Sequence, residues 1–395
     1  MLILKNNHLK LKDKILKIEK NIWNAYNKEN NIGLYNGLSG FILFYDSLYK
    51  AYPVEEFENK LLAVIEKANE LIEEKQNSIS LCSGIAGYGL TLLRLKADSI
   101  DISEDYFESI DTFLLEDFEF LSESNNFDFM HEAMGIAMYF IERYKLNKNS
   151  VVAEVLDVFA EKLIYQINID FKNVLGKFEE SRGNYYSLGM AHGVASYLNF
   201  LIYLKTHFTA LNSDISKTLR VCVDFLVSYK KYDPKTKQYY ANCFLLEENQ
   251  FLPSRLSWCQ GDLGVSNALY NTGVFLDDPI LIEEAIALMN HSVSITFTDS
   301  GVDDFGFCHG STGILVQFYL ASKKYNIDYN QEIDHWVEIV KKQTNNFEEY
   351  LWYENSSNLY KPKYDILVGA VGLALTLLTI ENKIDTKWLE IFNLH

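Results

Sequence analysis

The stretch Phe305–Gly313, "FGFCHGSTG", places Cys308 beside His309 and follows them with Gly310 and Gly313, at the head of the apolar run "GSTGILVQF". The same pattern, a small residue, two others and a second small residue leading into an apolar helix, recurs along the chain. It appears as "GLSGFILFY" from Gly37, "GIAGYGLTLL" from Gly84, "EAMGIAMYF" from Glu132, "GVASYLNFL" from Gly193, "GDLGVSNAL" from Gly261 and "GAVGLALTLL" from Gly369, so there are seven copies in all. Successive starts lie 47 to 68 residues apart, which is room for one helical hairpin each.

Before most copies runs an amphipathic segment, such as "EEFENKLLAVIEKANELIEEK" from Glu55 or "SVVAEVLDVFAEKLIYQI" from Ser150, with apolar residues at three and four spacing on one face. The helix after each motif is far more apolar, as a helix buried on most sides must be. Small residues three apart share a helix face and let the N-terminal ends of the inner helices approach closely. The chain is therefore expected to be all-α, with outer and inner helices alternating. Seven hairpins sharing one core close most economically into an α/α toroid, and because the repeats are in phase all seven motif loops emerge at one end of the ring.

No linker rich in Pro, Gly or Ser divides the chain, so residues 1–395 read as a single domain. The alternating stretch "KQYYANCFLLEENQFL" lies in the long spacing before Gly261 and predicts a small β decoration around 232–252. The opening "MLILKNNHLKLKDKILKIEK" breaks its apolar residues with lysines and is not a signal peptide. It reads as an ordinary outer helix, with a basic amphipathic helix against a membrane or partner as the alternative.

With 5 Pro, 48% hydrophobic and 14% aromatic residues, the composition is that of a packed globular protein. A formal net charge of −18 argues against nucleic acid, whose binders show a basic domain or stripe. No apolar run reaches the roughly 18 residues of a membrane span. Five cysteines without regular spacing point to the cytoplasm, where a thiol usually means metal or chemistry.

Counted from the first small residue of each copy, the position two before it holds Tyr35, Cys82, Met130, Ala191, Cys259, Cys308 and Leu367. The position one before it holds Asn36, Ser83, His131, His192, Gln260, His309 and Val368. Cys259 and Cys308 fall in adjacent repeats at equivalent height with His309 next door. Two thiolates and an imidazole form a zinc set, and three protein ligands leave a fourth position open, as in catalytic sites. Cys82 shares the register but sits three repeats from Cys259, and reads as core. His192 has the chemistry of a general acid or base, with His131 in support. Asp128 suits the orientation of a histidine, and Arg255 suits a carboxylate or a developing enolate. Asp365, at the spacing of Asp128, reads as a structural cap.

On "SWCQGDLG", "FCHGSTG" and "LGMAHGVASYL", taken in this order and spacing with the rest of the chain, the sequence resembles the lanthionine synthetase C-like family, the cyclases that make thioether rings in lanthipeptides. The resemblance spans essentially the whole length. It implies a toroid of seven helical hairpins, one Zn2+ held by Cys259, Cys308 and His309, His192 as the acid/base residue, and Asp128 and Arg255 as the supporting polar pair. It also implies a dehydrated precursor peptide as substrate, with a dehydratase and an exporter as partners at the inner membrane face. The sequence departs from the family pattern at Glu132, which replaces the first glycine of the third motif, and at Ser196 in the fourth. Two other readings remain open at this point: a non-catalytic protein of the same fold that binds zinc and a thiol such as glutathione or acts as an adaptor, and a carbohydrate enzyme using Asp128 and Asp365, as other α/α toroids do.

Overall fold

The computed structural model describes residues 11–395 apart from 75, 76, 99 and 355. The first ten residues of the lysine-interrupted opening lie outside the described residues. The remainder of that opening begins α1 (Leu11–Tyr26).

Among the described residues, fourteen α-helices form two concentric rings. The inner ring consists of α2 (Leu38–Ala51), α4 (Ile85–Asp98), α6 (Ala133–Asn147), α8 (Val194–His207), α10 (Asp262–Phe275), α12 (Ser311–Lys324) and α14 (Ala370–Ile380). Each touches the next in this order, and α14 returns to α2, which closes the ring. The outer ring consists of α1, α3 (Glu55–Glu74), α5 (Glu104–Glu123), α7 (Ser150–Leu175), α9 (Ser216–Ser228), α11 (Pro279–Val293) and α13 (Asn330–Gln343). The fold is thus the α/α toroid that the repeat predicts. Five outer helices, α3, α7, α9, α11 and α13, pack on the inner helix preceding them, α5 packs on both α4 and α6, and α1 packs on α14. Residues 11–26 and 370–380 therefore meet, and their contact joins the first repeat to the last.

Sequence pattern accounts for the two rings. Phe57, Leu61, Val64, Ala68 and Leu71 of α3 are buried at three and four spacing while the glutamates between them face solvent. Every residue of α14, "AVGLALTLLTI", is buried. Full burial of a Leu or Phe side chain stabilises by about 1.5–3 kcal/mol, so the inner ring carries much of the driving force for closure.

The small residues of the motif act mostly within their own loop. A Cβ on Gly313 would lie 1.9 Å from the carbonyl oxygen of Phe307, because the loop folds back over the first turn of its helix. A second close neighbour comes from the adjacent repeat, as between Gly135 and Leu81 Cβ at 2.8 Å. Gly261 is the motif glycine whose φ, +81°, itself calls for glycine.

The two-before register forms a hydrogen-bonded collar around the mouth of the ring. Tyr35 N–H donates to Cys82 O (3.0 Å), Cys82 to Met130 (3.0 Å), Ala191 to Cys259 (3.3 Å), Cys259 to Cys308 (3.2 Å), Cys308 to Leu367 (2.8 Å) and Leu367 to Tyr35 (3.1 Å). Between Met130 and Ala191 the pattern changes, for Met130 N–H donates to Asp128 Oδ1 at 3.0 Å.

Strands β1 (Gly176–Glu179), β2 (Gly183–Ser187), β3 (Cys243–Leu245) and β4 (Gln250–Leu252) make an antiparallel sheet in that order. The segment 232–252 thus contributes a hairpin, and β1 and β2 extend it into a larger sheet than the alternation suggests. A separate hairpin, β5 (Leu351–Glu354) and β6 (Leu359–Pro362), carries no such sequence signal. No helix among the described residues is long and apolar enough to cross a membrane.

Candidate active site at the mouth of the ring

The loops before α10 and α12 bring Cys259 Sγ, Cys308 Sγ and a ring nitrogen of His309 within 4.8 Å of one another, the one such Cys/His/acid cluster among the described residues. The backbone bond from Cys259 to Cys308 holds the two loops in register. Interaction with the adjacent Cys308 thiol, with a further contribution from His309, holds the Cys259 thiol well below the usual thiol range although burial opposes it. The same interaction, burial and the Cys259 charge push Cys308 up. Burial alone would lower His309, but the Cys259 thiolate raises it. Two soft sulfurs and one borderline nitrogen converging on one point are the donor set that a zinc ion takes, so the residues present fit that metal.

The second feature of the mouth is a histidine–carboxylate pair. His192, in the loop before α8, has Nδ1 2.8 Å from Asp128 Oδ2. Asp128 is buried and its Oδ1 accepts from the backbone N–H groups of Met130 and His131, both at 3.0 Å. It sits where the collar is interrupted, so one carboxylate both replaces a backbone link and orients an imidazole. The His192 side chain is 43% exposed. Burial works to lower its pKa, but the hydrogen bond and charge of Asp128, then the Cys259 charge, raise it above the ordinary histidine value. Asp128 in turn is lowered by His192 against its own burial. His131 stacks on His192 with ring centroids 5.6 Å apart and planes 16° from parallel. Burial lowers the pKa of His131, and the charge of His192 lowers it further.

Glu132 accounts for its own departure from the motif. Its Oε2 accepts from Asp128 N–H at 2.8 Å and pairs with Lys177 at 2.9 Å, bracing the Asp128 turn. Arg255 is half-buried and has no ion-pair partner among the described residues. Its charge acts on Cys308, His309 and Asp304, which places it on the same mouth. Asp365 Oδ1 accepts from Val368 N–H at 2.8 Å, a turn-capping contact. Cys82 is buried, its thiol pushed up by burial, and it lies outside the Cys-Cys-His cluster.

Two participants escaped the reading of the sequence. Asp304 is buried, accepts from Gly306 N–H (2.8 Å) and Tyr353 N–H (3.3 Å), and its charge acts on His309. A signal for it existed, since Asp304 stands four before Cys308 as Arg255 stands four before Cys259. Trp352, on β5, brings its indole N–H 3.4 Å from His309 Nε2. It comes from a hairpin outside the repeat register, where spacing gives no guide.

The arrangement defines an α/α toroid with a thiolate–imidazole donor cluster and a histidine–aspartate pair at one mouth. The sequence model of the "Lanthionine synthetase C-like protein" family matches residues 28–393, and the chain belongs to that family. Among solved structures, nisin cyclase is similar over 97% of this chain and 98% of its own, with a TM-score of 0.76 and 19% identity, a likeness in fold. An unsaturated glucuronyl hydrolase specific for heparin aligns over 95% of this chain and 97% of its own, with a TM-score of 0.44 and 11% identity. No curated protein sequence matches the chain.

Proposed function

We propose that the protein is a zinc-dependent lanthipeptide cyclase, a single toroid domain that adds cysteine thiols of a dehydrated precursor peptide to dehydroalanine or dehydrobutyrine, forming (methyl)lanthionine rings. The observation that carries this reading is the shared mouth: the Cys259, Cys308 and His309 donors within 4.8 Å of one another, and a His192–Asp128 pair whose loop is tied to that of Cys259 by the bond from Ala191 N–H to Cys259 O at 3.3 Å. Family membership and the fold shared with nisin cyclase support it.

Cys259, Cys308 and His309 would hold the ion. Bound there, zinc supplies the Lewis acidity that makes a substrate thiol a thiolate near neutral pH, although a free cysteine titrates at about 8.5. The sulfur then bonds to the β-carbon of the dehydroamino acid while the π pair shifts toward the carbonyl as an enolate. His192 holds the proton that goes to the α-carbon at Nε2, the nitrogen left free when Asp128 takes Nδ1. Asp128 fixes ring orientation and favours the imidazolium. Arg255, without an ion-pair partner among the described residues, is available to the enolate oxygen. The exchange balances, since one S–H and one C=C become one S–C and one C–H.

The precursor comes from a dehydratase, and the product goes to an exporter. This places the protein in the cytoplasm, at the inner membrane face when it is assembled with them. Cyclisation conserves mass, so the test is loss of alkylatable thiol from a dehydrated, cysteine-containing peptide. Wild-type protein consumes thiol. His192→Asn retains metal and loses the rate; full activity of that variant would remove His192 from the chemistry, and absence of thiol loss with metal-loaded wild-type protein would support a binding or adaptor role instead.

A further inference from the structure

The segment after α14, a 3-10 helix at Lys387–Phe392, turns into the bore of the ring beneath the collar. Trp388, Leu389, Ile391 and Phe392 are all buried there. Side chains from several repeats hold it in place. Tyr35 Oη donates to Ile391 O, Arg94 Nη2 pairs with Glu390 at 3.1 Å, and Asn199 Nδ2 donates to Asn393 O at 2.7 Å.

The ring of Phe392 occupies one particular place in that bore. It stacks on Phe307 with centroids 4.1 Å apart and planes at 23°, on Tyr35 at 5.0 Å and 13°, and meets Trp258 edge-on at 5.1 Å and 75°. The Trp258 indole N–H also donates to Phe392 O at 3.0 Å. Trp258 immediately precedes Cys259, Phe307 immediately precedes Cys308, and Tyr35 belongs to the same collar. A single aromatic ring therefore supports both cysteine turns from below, and Trp388 adds a second contact to Phe307 at 5.7 Å.

We infer that Phe392 is a positioning residue for the metal site: it sets the separation of Cys259 and Cys308 through Trp258 and Phe307. This inference rests on the metal reading given above. Metal ligands must be held close to their bonding geometry, and residues that only orient them typically cost about 10- to 100-fold in metal affinity when removed. The collar bond from Cys259 to Cys308 fixes the backbones along one direction, and the Phe392 ring blocks their collapse into the bore.

The test is titration of the purified full chain with Co2+, following its thiolate charge-transfer and d–d bands, with zinc affinity measured by chelator competition. Wild type is compared with Phe392→Ala and with a control, Phe159→Ala, which removes an equally buried ring among Phe118, Phe127 and Phe200, a cluster that shares no ring contact with Trp258 or Phe307 among the described residues. Folding is verified by circular dichroism and melting, and titrations are run well below the transition. The expected result is at least about 10-fold weaker metal binding and altered charge-transfer bands in Phe392→Ala, with both unchanged in the control. Wild-type affinity and spectrum in folded Phe392→Ala would overturn the inference, as would an equal loss in the control. Should Phe392→Ala fail to fold, Phe392→Leu and Trp258→Phe, the latter deleting the N–H bond to Phe392 O, carry the same comparison under the same criteria. Failure of the wild type to bind Co2+ or zinc at all would instead refute the metal reading, a result distinguishable from the others.

Discussion

Replacing Asp128 by Asn removes one charge from the mouth and leaves the loop intact. The Oδ1 acceptor that takes the Met130 and His131 N–H groups, both at 3.0 Å, is reproduced by the amide oxygen. The amide nitrogen then faces His192 Nδ1, where a carboxylate oxygen stood at 2.8 Å. A charge-assisted hydrogen bond contributes about 1.5–3 kcal/mol. His192 is 43% exposed, so solvent screens the pair and about 1–2 kcal/mol is the appropriate range. At about 1.4 kcal/mol per factor of ten, this predicts about a 5- to 30-fold slower cyclisation at neutral pH. The sign of the pH effect is as informative as its size. Asp128 raises the pKa of His192, so with His192 as the acid the wild-type rate is retained at low pH and falls as pH rises through that pKa. In Asp128→Asn the falling limb moves to lower pH. The assay is thiol consumption from a dehydrated peptide across pH 5 to 9, with metal content checked in parallel. An unmoved limb, or one moved to higher pH, would refute the assignment of the pair, and a rate that rises with pH would make His192 the base.

Other expectations concern the frame and the enolate. Burial raises Asp365 to about 6, so ionising its carboxyl costs more in the fold than in the unfolded chain. Stability is then lost as pH rises from the unfolded aspartate range near ~3.9 through that value, amounting to about 3 kcal/mol by pH 7. Asp365→Asn keeps the acceptor for Val368 N–H and should match wild type in urea at pH 4 while exceeding it at pH 7. Gly313→Ala places a methyl 1.9 Å from Phe307 O and should cost about 3 kcal/mol or more, visible as a lowered melting temperature. Arg255→Ala should keep its metal and lose about 100-fold in cyclisation rate, as removal of a charge-stabilising donor does.

The toroid was legible because its evidence is periodic. Motifs such as Gly310–Gly313 and Gly369–Gly372 mark where each loop folds onto its helix, and seven in-phase copies fix which end carries the loops. The same register placed Cys259, Cys308, His309 and His192 at one height, and the structure gathers the first three into a cluster and pairs His192 with Asp128. What the register could not show lies outside it. Trp352 reaches His309 from a hairpin of four-residue strands whose alternation is too short to read. Phe392 reaches the cysteine turns from a segment after the last repeat, and no spacing rule connects Phe392 to Trp258, 134 residues earlier. Asp304 was within reach, because its offset from Cys308 repeats that of Arg255 from Cys259. The small residues were placed correctly, but their tightest contact is with backbone of their own loop, a carbonyl as at Gly313 or an amide nitrogen as at Gly310, an approach that helix-face reasoning does not anticipate.

Metal content tests the central claim most directly. The purified protein, handled without chelators and supplied with metal, should carry about one equivalent of zinc per chain. The double variant Cys308→Ala, His309→Ala should carry none while keeping its helical spectrum. Zinc absent from the wild type, or retained in full by the double variant, would contradict the assignment of Cys259, Cys308 and His309 as the metal site.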